Sequence, residues 1–405
     1  DIAHGLDSGK PGSQRLARPA LLMVPGGVAT KKAHSLGEAG LTAIRRYVDQ
    51  GGHYVGFCGG AGLGLSGAGD AGGLGLCPWT RAKMRDRLLH LVSGHLKVER
   101  PADHELIPKS LPDKPLIPVW WPARFEPQAE DERVQVLARY AEPGPDFWMA
   151  DLPFSQLPRQ SFTDWEHLFG VQMGASHMQG QPSVLAGRYG QGRYLISYSH
   201  LETPGSPDAN AWLAHILQTF LDEEATPGPQ TTVTPDWDLG NLAMTWDDST
   251  LRRANEVMDE IMALGQDHFL LFPRNNWLMG WRAGIPGASL NSLYSLLRQA
   301  AALEPTPEAL DFWKKRAGAF ADKLRLFQEG VTSYLMAERL TMTLRSFPDM
   351  VNKEWISDQR LLLFGPPMGG GMGGKGSLFA EIVADVDQLV YLLLKDGDKD
   401  QGAQP

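Results

Sequence analysis

Apolar and polar positions divide the chain into two parts of different character. "RPALLMVPGG" (residues 18–27) is a continuous apolar run stopped by Pro-Gly-Gly, which predicts a strand and a tight turn after it. In "LGEAGLTAIRRYVDQGG", Leu41, Ile44 and Val48 recur at helical spacing before a glycine stop, so a helix is predicted there. Tyr54, Val55, Gly56 and Phe57 form a second short apolar run. Strand, helix, strand predicts a βαβ unit, and hence a parallel sheet covered by helices on both faces. Further strands are predicted at "PLIPVWW", "VQVLARY" and "GRYLISYS", giving an α/β domain over residues 1–224. Residues 141–182 interrupt this pattern with prolines and polar residues around Trp148 and Trp165, and read as an insertion forming a lid or rim.

Beyond it, "ATPGPQTTVTPDW" (225–237) reads as a linker, and residues 238–405 as an all-α domain. Leu310, Trp313, Ala317, Phe320, Leu324, Phe327, Val331 and Tyr334 alternate spacings of three and four, and Phe379, Ile382, Val386, Leu389 and Leu393 repeat the pattern. With shorter helical stretches near 249–264 and 290–303, an antiparallel bundle is predicted. Core packing is the ordinary meaning of such stripes. A stripe this long also suits a protein partner or self-association. Between the helices, the glycine- and methionine-rich loop 365–376 contains Gly369 to Lys375 in phosphate-loop spacing. Gly376 stands where a serine or threonine would bind magnesium, so a mobile loop is the better reading than a nucleotide site.

Composition adds limits. The chain has 405 residues, 42% of them hydrophobic and 21% charged, enough for two or three globular domains. A net charge of −9 without long charge blocks argues against a nucleic-acid surface, and no apolar stretch is long enough to be a membrane span. Two cysteines make no disulfide framework, and no signal peptide is visible, so a reducing, cytoplasmic setting is expected. No cofactor or metal motif is present.

One of those cysteines carries the candidate chemistry. In "GGHYVGFCGGAGLGL" (51–65), Cys58 follows an apolar strand and precedes small residues that let the backbone turn sharply into a helix, the arrangement of a nucleophile elbow. A thiol at a helix N-terminus also has a depressed pKa. Cys77 in "GLGLCPW" reads as inert packing. In "GQGRYLISYSHLETP" (190–204), His200 and Glu202 stand at the carboxyl end of a predicted strand, where open α/β sheets gather reactive groups. Each motif alone has a bland reading, a buried structural cysteine or an incidental surface histidine. Together they supply a nucleophile, a base and a carboxylate to orient that base.

The combination resembles the class I glutamine amidotransferase-like fold, a flavodoxin-like α/β architecture with a cysteine at an elbow and a late H-P-E segment. More closely, "LLMVPGGVAT", "IRRYVDQGGHYVGFCGGAGL" and "GRYGQGRYLISYSHLE" resemble the amidotransferase-like domain at the N-terminus of some biotin protein ligases, also found in bacterial proteins without ligase. The resemblance covers roughly residues 18–224. It implies Cys58 as nucleophile, His200 as base and Glu202 as its orienter, with Gly26 and Gly27 forming the oxyanion turn and Gly59 offering another N–H donor. It also implies a strand, a helix and a further strand ahead of "RPALLMV", so an N-terminal piece of the native chain is expected to be missing. The elbow lacks the glutamine that follows it in working glutaminases, and Leu201 replaces the proline of H-P-E.

Ligase activity is not expected. "AGRYGQGR" resembles a biotin loop only superficially, because it leads straight into the H-x-E strand. Two functions remain open. One is a cysteine-dependent hydrolase or amidotransferase acting on an unknown amide-type substrate. The other is a non-catalytic binding or scaffold protein that keeps the pocket. Trp120, Trp121, Trp148 and Trp165 either line an aromatic pocket or, as is more usual, belong to the core.

Overall fold

The computed structural model describes residues 20–67, 72–82, 92–127, 133–169, 178–221, 238–366 and 376–395. The chain divides into two compact units, Asp1–Asp236 and Trp237–Pro405. The linker expected at 225–237 lies outside the described residues, as do most of the glycine–methionine loop 365–376, residues 170–177 of the expected insertion, and residues 1–19.

The first unit is a mixed α/β structure. In chain order its elements are β1 (Leu21–Val24), α1 (Ala29–Asp49), β2 (His53–Phe57), the short α2 (Gly59–Gly64), β3 (Thr80–Arg81), β4 (Val92–Glu99), β5 (Leu116–Trp120), β6 (Phe125–Glu126), β7 (Val134–Pro143), β8 (Trp148–Met149), β9 (Leu152–Pro153), α3 (Arg159–Phe169), β10 (Pro182–Tyr189), β11 (Gly192–Ser197) and α4 (Pro207–Leu221). Nine of the strands form one sheet, ordered β1-β2-β11-β10-β7-β4-β8-β9, with β5 also paired to β4.

Only the first three strands along that path are parallel to one another. From β11 onward each pair is antiparallel. The expected parallel sheet is therefore confined to β1, β2 and β11, and the rest of the sheet corrects that expectation. The local reason is the turn between β10 and β11, where Tyr189 pairs with Gly192 and Gly190 takes φ 57, so the chain reverses within two residues and needs no crossover helix. Part of the expected insertion also belongs to the sheet, since β8 pairs with β4.

Burial is concentrated on β2 and β11, with β1 as the partly exposed edge strand beside them. All five residues of β2 are buried, and α1 lays Leu41, Ile44, Tyr47 and Val48 into the same core as Tyr54, Tyr194 and Ile196. On the other face, Val55, Phe57 and Leu195 pack with Trp212, Ile216 and Phe220 of α4. Full burial of each such side chain contributes about 1.5–3 kcal/mol, so sliding any of these strands by one residue would be costly. The parallel register brings Val24 level with Gly56 and Phe57 level with Ser197. Three strand ends consequently finish side by side.

The second unit contains α5 (Ser249–Asp267), β12 (Leu271–Asn275), β13 (Leu278–Trp281), α6 (Gly287–Ala302), α7 (Pro307–Thr343), α8 (Lys353–Phe364) and α9 (Leu378–Lys395). The Asp248 side chain caps α5, and the Thr306 hydroxyl caps α7 just before Pro307. Trp313, Phe320, Leu324, Phe327, Val331 and Tyr334 of the first stripe and all five residues of the second share one core. The stripes are thus covered within their own unit, although Leu310 stays exposed. The antiparallel hairpin β12–β13 corrects the all-α expectation. No helix among the described residues is long and apolar enough to cross a membrane.

Candidate functional site

Cys58 follows β2 directly and is the residue before α2. Its backbone has φ 49 and ψ −103, a left-handed conformation that costs a side-chain-bearing residue about 1–3 kcal/mol. Two backbone bonds hold it there. The Cys58 N–H donates to the Ser197 carbonyl of β11 at 2.7 Å, and Gly62 N–H donates to the Cys58 carbonyl at 2.9 Å. The turn works only because its neighbours have no side chains. A Cβ on Gly59 would lie 2.0 Å from the Gly27 carbonyl oxygen, so the elbow and the turn after β1 touch backbone to backbone.

That contact brings two donors to the sulfur. The N–H groups of Gly27 and Gly59 lie close enough to the Cys58 sulfur to favour its thiolate. Gly27 sits at φ +114, a conformation that glycine alone adopts cheaply. Gly26 serves a different end: a Cβ there would stand 3.1 Å from His200 Cε1 and 3.9 Å from Cys58 Sγ, so its lack of a side chain keeps space between thiol and imidazole.

His200 follows the end of β11, and its backbone N–H is anchored to the Pro118 carbonyl at 2.8 Å. Its Nδ1 lies 2.7 Å from Glu202 Oε1. A carboxylate can only accept, so Nδ1 carries the proton and Nε2 is left to work toward the thiol. The two side chains are close enough to perturb each other's titration, yet Nε2 is buried with no partner at full hydrogen-bond geometry. The approach is close and imperfectly aligned, as is common before substrate binds.

Electrostatics favour an ion pair. Burial alone would raise the Cys58 thiol, but the contact with His200 and the Gly27 and Gly59 N–H groups outweigh it and bring the thiol below its ordinary value. Burial alone would lower His200, but Cys58 and Glu202 together push it up to about 10. Thiolate and imidazolium are mutually stabilised across neutral pH. Beside them lies Lys32, whose ammonium is depressed by burial and drawn the other way by the Cys58 charge.

The structure thus gathers Cys58, His200, Glu202, Gly26, Gly27 and Gly59 at the carboxyl ends of the three parallel strands. Of the tryptophans considered for a pocket, Trp120 donates its Nε1–H to Thr203 Oγ1 at 3.0 Å, which ties down the segment carrying His200. Trp165 packs edge-on against Phe162, an aromatic packing contact. Cys77 is fully buried. Among the described residues, no group of three or more His, Cys, Asp and Glu side chains is placed to hold a metal ion.

Sequence reasoning missed two features. Lys32 is one, and its signal was a lysine in the first turn of a helix, where positive charge is normally disfavoured. The other is a second acid–histidine–hydroxyl series: His95 Nδ1 lies 2.7 Å from Asp146 Oδ2, and His95 Nε2 lies 2.9 Å from Ser206 Oγ. Ser206 is only 1% exposed. No substrate reaches it without rearrangement.

Comparison with known proteins adds one match along the sequence. Residues 16–67 match the family model described as biotin-protein ligase, N terminal. The matched segment includes Gly26, Gly27, Lys32, Cys58 and Gly59 and ends before His200. No curated protein matches the chain. Among solved structures, a β-galactosidase from Bacillus circulans sp. alkalophilus aligns at 15% identity and TM-score 0.31 over 53% of this chain, and the chain spans only 24% of that enzyme. A cytoplasmic protein from Salmonella typhimurium aligns at 14% identity and TM-score 0.30, covering 54% of this chain and 77% of its own. A protein described as thua-like from Bacteroides uniformis aligns at 13% identity and TM-score 0.30, covering 55% and 75%.

Proposed function

We propose that the first unit is a class I glutamine amidotransferase-like domain of flavodoxin-like ancestry, and that it acts as a cysteine-dependent hydrolase or amidotransferase on an amide-type carbonyl. The observation that carries the reading is the setting of Cys58, a strained elbow residue beside the Gly27 and Gly59 backbone whose sulfur faces a carboxylate-oriented imidazole. A structural cysteine needs none of these, and would not justify a strained backbone. The match of residues 16–67 to the biotin-protein ligase N-terminal family supports the domain assignment.

In this mechanism the Cys58 thiolate attacks the carbonyl carbon, and the carbonyl π electrons move onto oxygen. The Gly27 and Gly59 N–H groups turn from sulfur to that oxyanion; losing one such donor typically costs roughly 10²–10³ in rate. His200 Nε2–H protonates the leaving amine as the C–N bond breaks, which leaves a thioester on Cys58. Water, or an amine acceptor, then attacks the thioester while His200 takes its proton. The C–S bond breaks and thiolate returns. Glu202 keeps the imidazole in the productive tautomer throughout. The elbow offers no glutamine side chain in "GFCGGAGL", which points to a substrate other than glutamine.

Intact-mass spectrometry after exposure to a panel of activated esters and amides, p-nitrophenyl acetate among them, tests the reading. An acyl adduct mapped to Cys58 and absent from Cys58→Ala is expected. A folded protein that forms no adduct and releases no product contradicts it, and leaves the unit as a binding or scaffold module.

A further inference from the structure

Lys32 is a charge that the mechanism above does not use. It lies in the first turn of α1, immediately after the Gly26–Gly27 turn, with its backbone N–H bonded to the Val28 carbonyl at 3.1 Å. Its side chain folds back over that turn. A Cβ on Gly27 would sit 3.8 Å from both Lys32 Cε and Nζ, so the ammonium hangs over the residue whose N–H reaches the Cys58 sulfur. Among the described residues no carboxylate pairs with it. Its neighbour in the electrostatic sense is the Cys58 thiolate.

Charge bookkeeping through the reaction gives this placement a consequence. In the resting site the thiolate is balanced by His200, and Lys32 gains from the same negative sulfur. Once the sulfur is acylated that charge is gone, and the oxyanion that replaces it is transient. A half-buried ammonium is then left without a counter-ion next to the acyl group. An anion carried by the substrate would restore a partner there.

We infer that Lys32 is a specificity residue that pairs with a carboxylate on the substrate, so that the amide or acyl compound this site takes carries an anionic group within a few bonds of its scissile carbonyl. The inference rests on the Cys58 reading proposed above. The ammonium stands 3.8 Å from the place a Cβ on Gly27 would take, so an anion within a few bonds of a carbonyl held by the Gly27 N–H is within its reach. Monoamides of short dicarboxylic acids fit that description. Neutral amides of similar size place nothing there and leave the ammonium unpaired.

Two small alkylating reagents separate this from the reactivity of the thiol itself. Iodoacetate and iodoacetamide both transfer a two-carbon fragment to the same sulfur with loss of iodide, but only iodoacetate is anionic. The ratio of their second-order rates at Cys58 cancels any change in thiolate fraction. In the full-length protein the ratio is expected to exceed that of a free small-molecule thiol, and to fall roughly 3- to 10-fold in Lys32→Gln. Lys32→Arg should restore most of it, and added salt should lower it in the wild type. An unchanged ratio in a Lys32→Gln protein with wild-type circular dichroism, and with Cys58 still reacting, overturns the inference and leaves the catalytic reading standing. Failure of Cys58 to react with either reagent at neutral pH overturns both.

Discussion

The first unit holds two histidines with the same first partner and opposite fates. His200 and His95 each place Nδ1 2.7 Å from a carboxylate oxygen, of Glu202 and Asp146 respectively. They differ at the other nitrogen. His95 Nε2 has the Ser206 hydroxyl at 2.9 Å, Asp146 also accepts the His95 backbone N–H at 3.0 Å, and the Ser206 hydroxyl lies 3.4 Å from the Pro204 carbonyl. Every one of those polar groups is used, and the serine is sealed. By contrast His200 Nε2 faces only the Cys58 thiol, Glu202 Oε2 is buried with no hydrogen-bond partner among the described residues, and the nucleophile next to them sits in a strained backbone. A satisfied series is a clamp; an unsatisfied one has spare bonding capacity for a reacting group. Triad-like order alone does not identify a site; spare bonding capacity beside a strained, partly exposed thiol sets this one apart.

Substitutions can break this comparison, and the largest expected effect is on reactivity. Cys58→Ala should abolish acylation and alkylation at this site, whereas Ser206→Ala should leave the Cys58 rate within about threefold of wild type, because Ser206 reaches no reacting atom. Mass-resolved labelling of both variants reads the difference. If Ser206→Ala suppresses labelling as fully as Cys58→Ala, the clamp has been misread.

Stability should invert that order. His95→Ala removes a bond to Asp146 and one to Ser206 and should lower the unfolding free energy by about 1–3 kcal/mol. In a Cys58→Ala background, where the thiolate contact is absent, His200→Ala loses only the bond to Glu202 and should cost less. Urea denaturation of the two variants side by side checks this, and an equal or larger loss for His200→Ala counts against the distinction. The smallest effect is the release of strain. Cys58→Gly should gain about 0.5–1 kcal/mol in the same assay while losing all labelling, since glycine adopts φ 49 without penalty. A clear loss of stability would mean that the thiol packs usefully.

The contrast between the two histidines also marks what a sequence discloses. The elbow and the H-x-E segment were legible because each is a local motif next to a continuous apolar run, and the two strands that carry them, β2 and β11, are almost wholly buried. The His95 series was not legible, because Asp146 and Ser206 stand 51 and 111 residues from His95 and come from loops that only the tertiary fold brings to β4. The same limit hid the antiparallel half of the sheet: periodicity marks β5, β7 and β11 as strands but leaves β4 and β10 unread, and the pairing of all of them is long-range. In the second unit, the two apolar runs around Asn275 and Asn276 are short enough to read as helix or strand, and they form the β12–β13 hairpin. Lys32 escaped because its meaning lies in what its side chain folds over.

The central claim is that His200 holds Cys58 as thiolate, and the pH profile of iodoacetamide alkylation tests it most directly. With the Cys58 value lowered and that of His200 raised to about 10, the thiolate–imidazolium pair exists between the two. The rate should therefore stay high through neutral pH and fall only as acid titrates the depressed thiol. In His200→Ala the midpoint should move up toward the ordinary thiol range, with a rate at pH 7 about 10-fold lower or less still. A wild-type midpoint already in that ordinary range, unmoved by His200→Ala, would contradict the account.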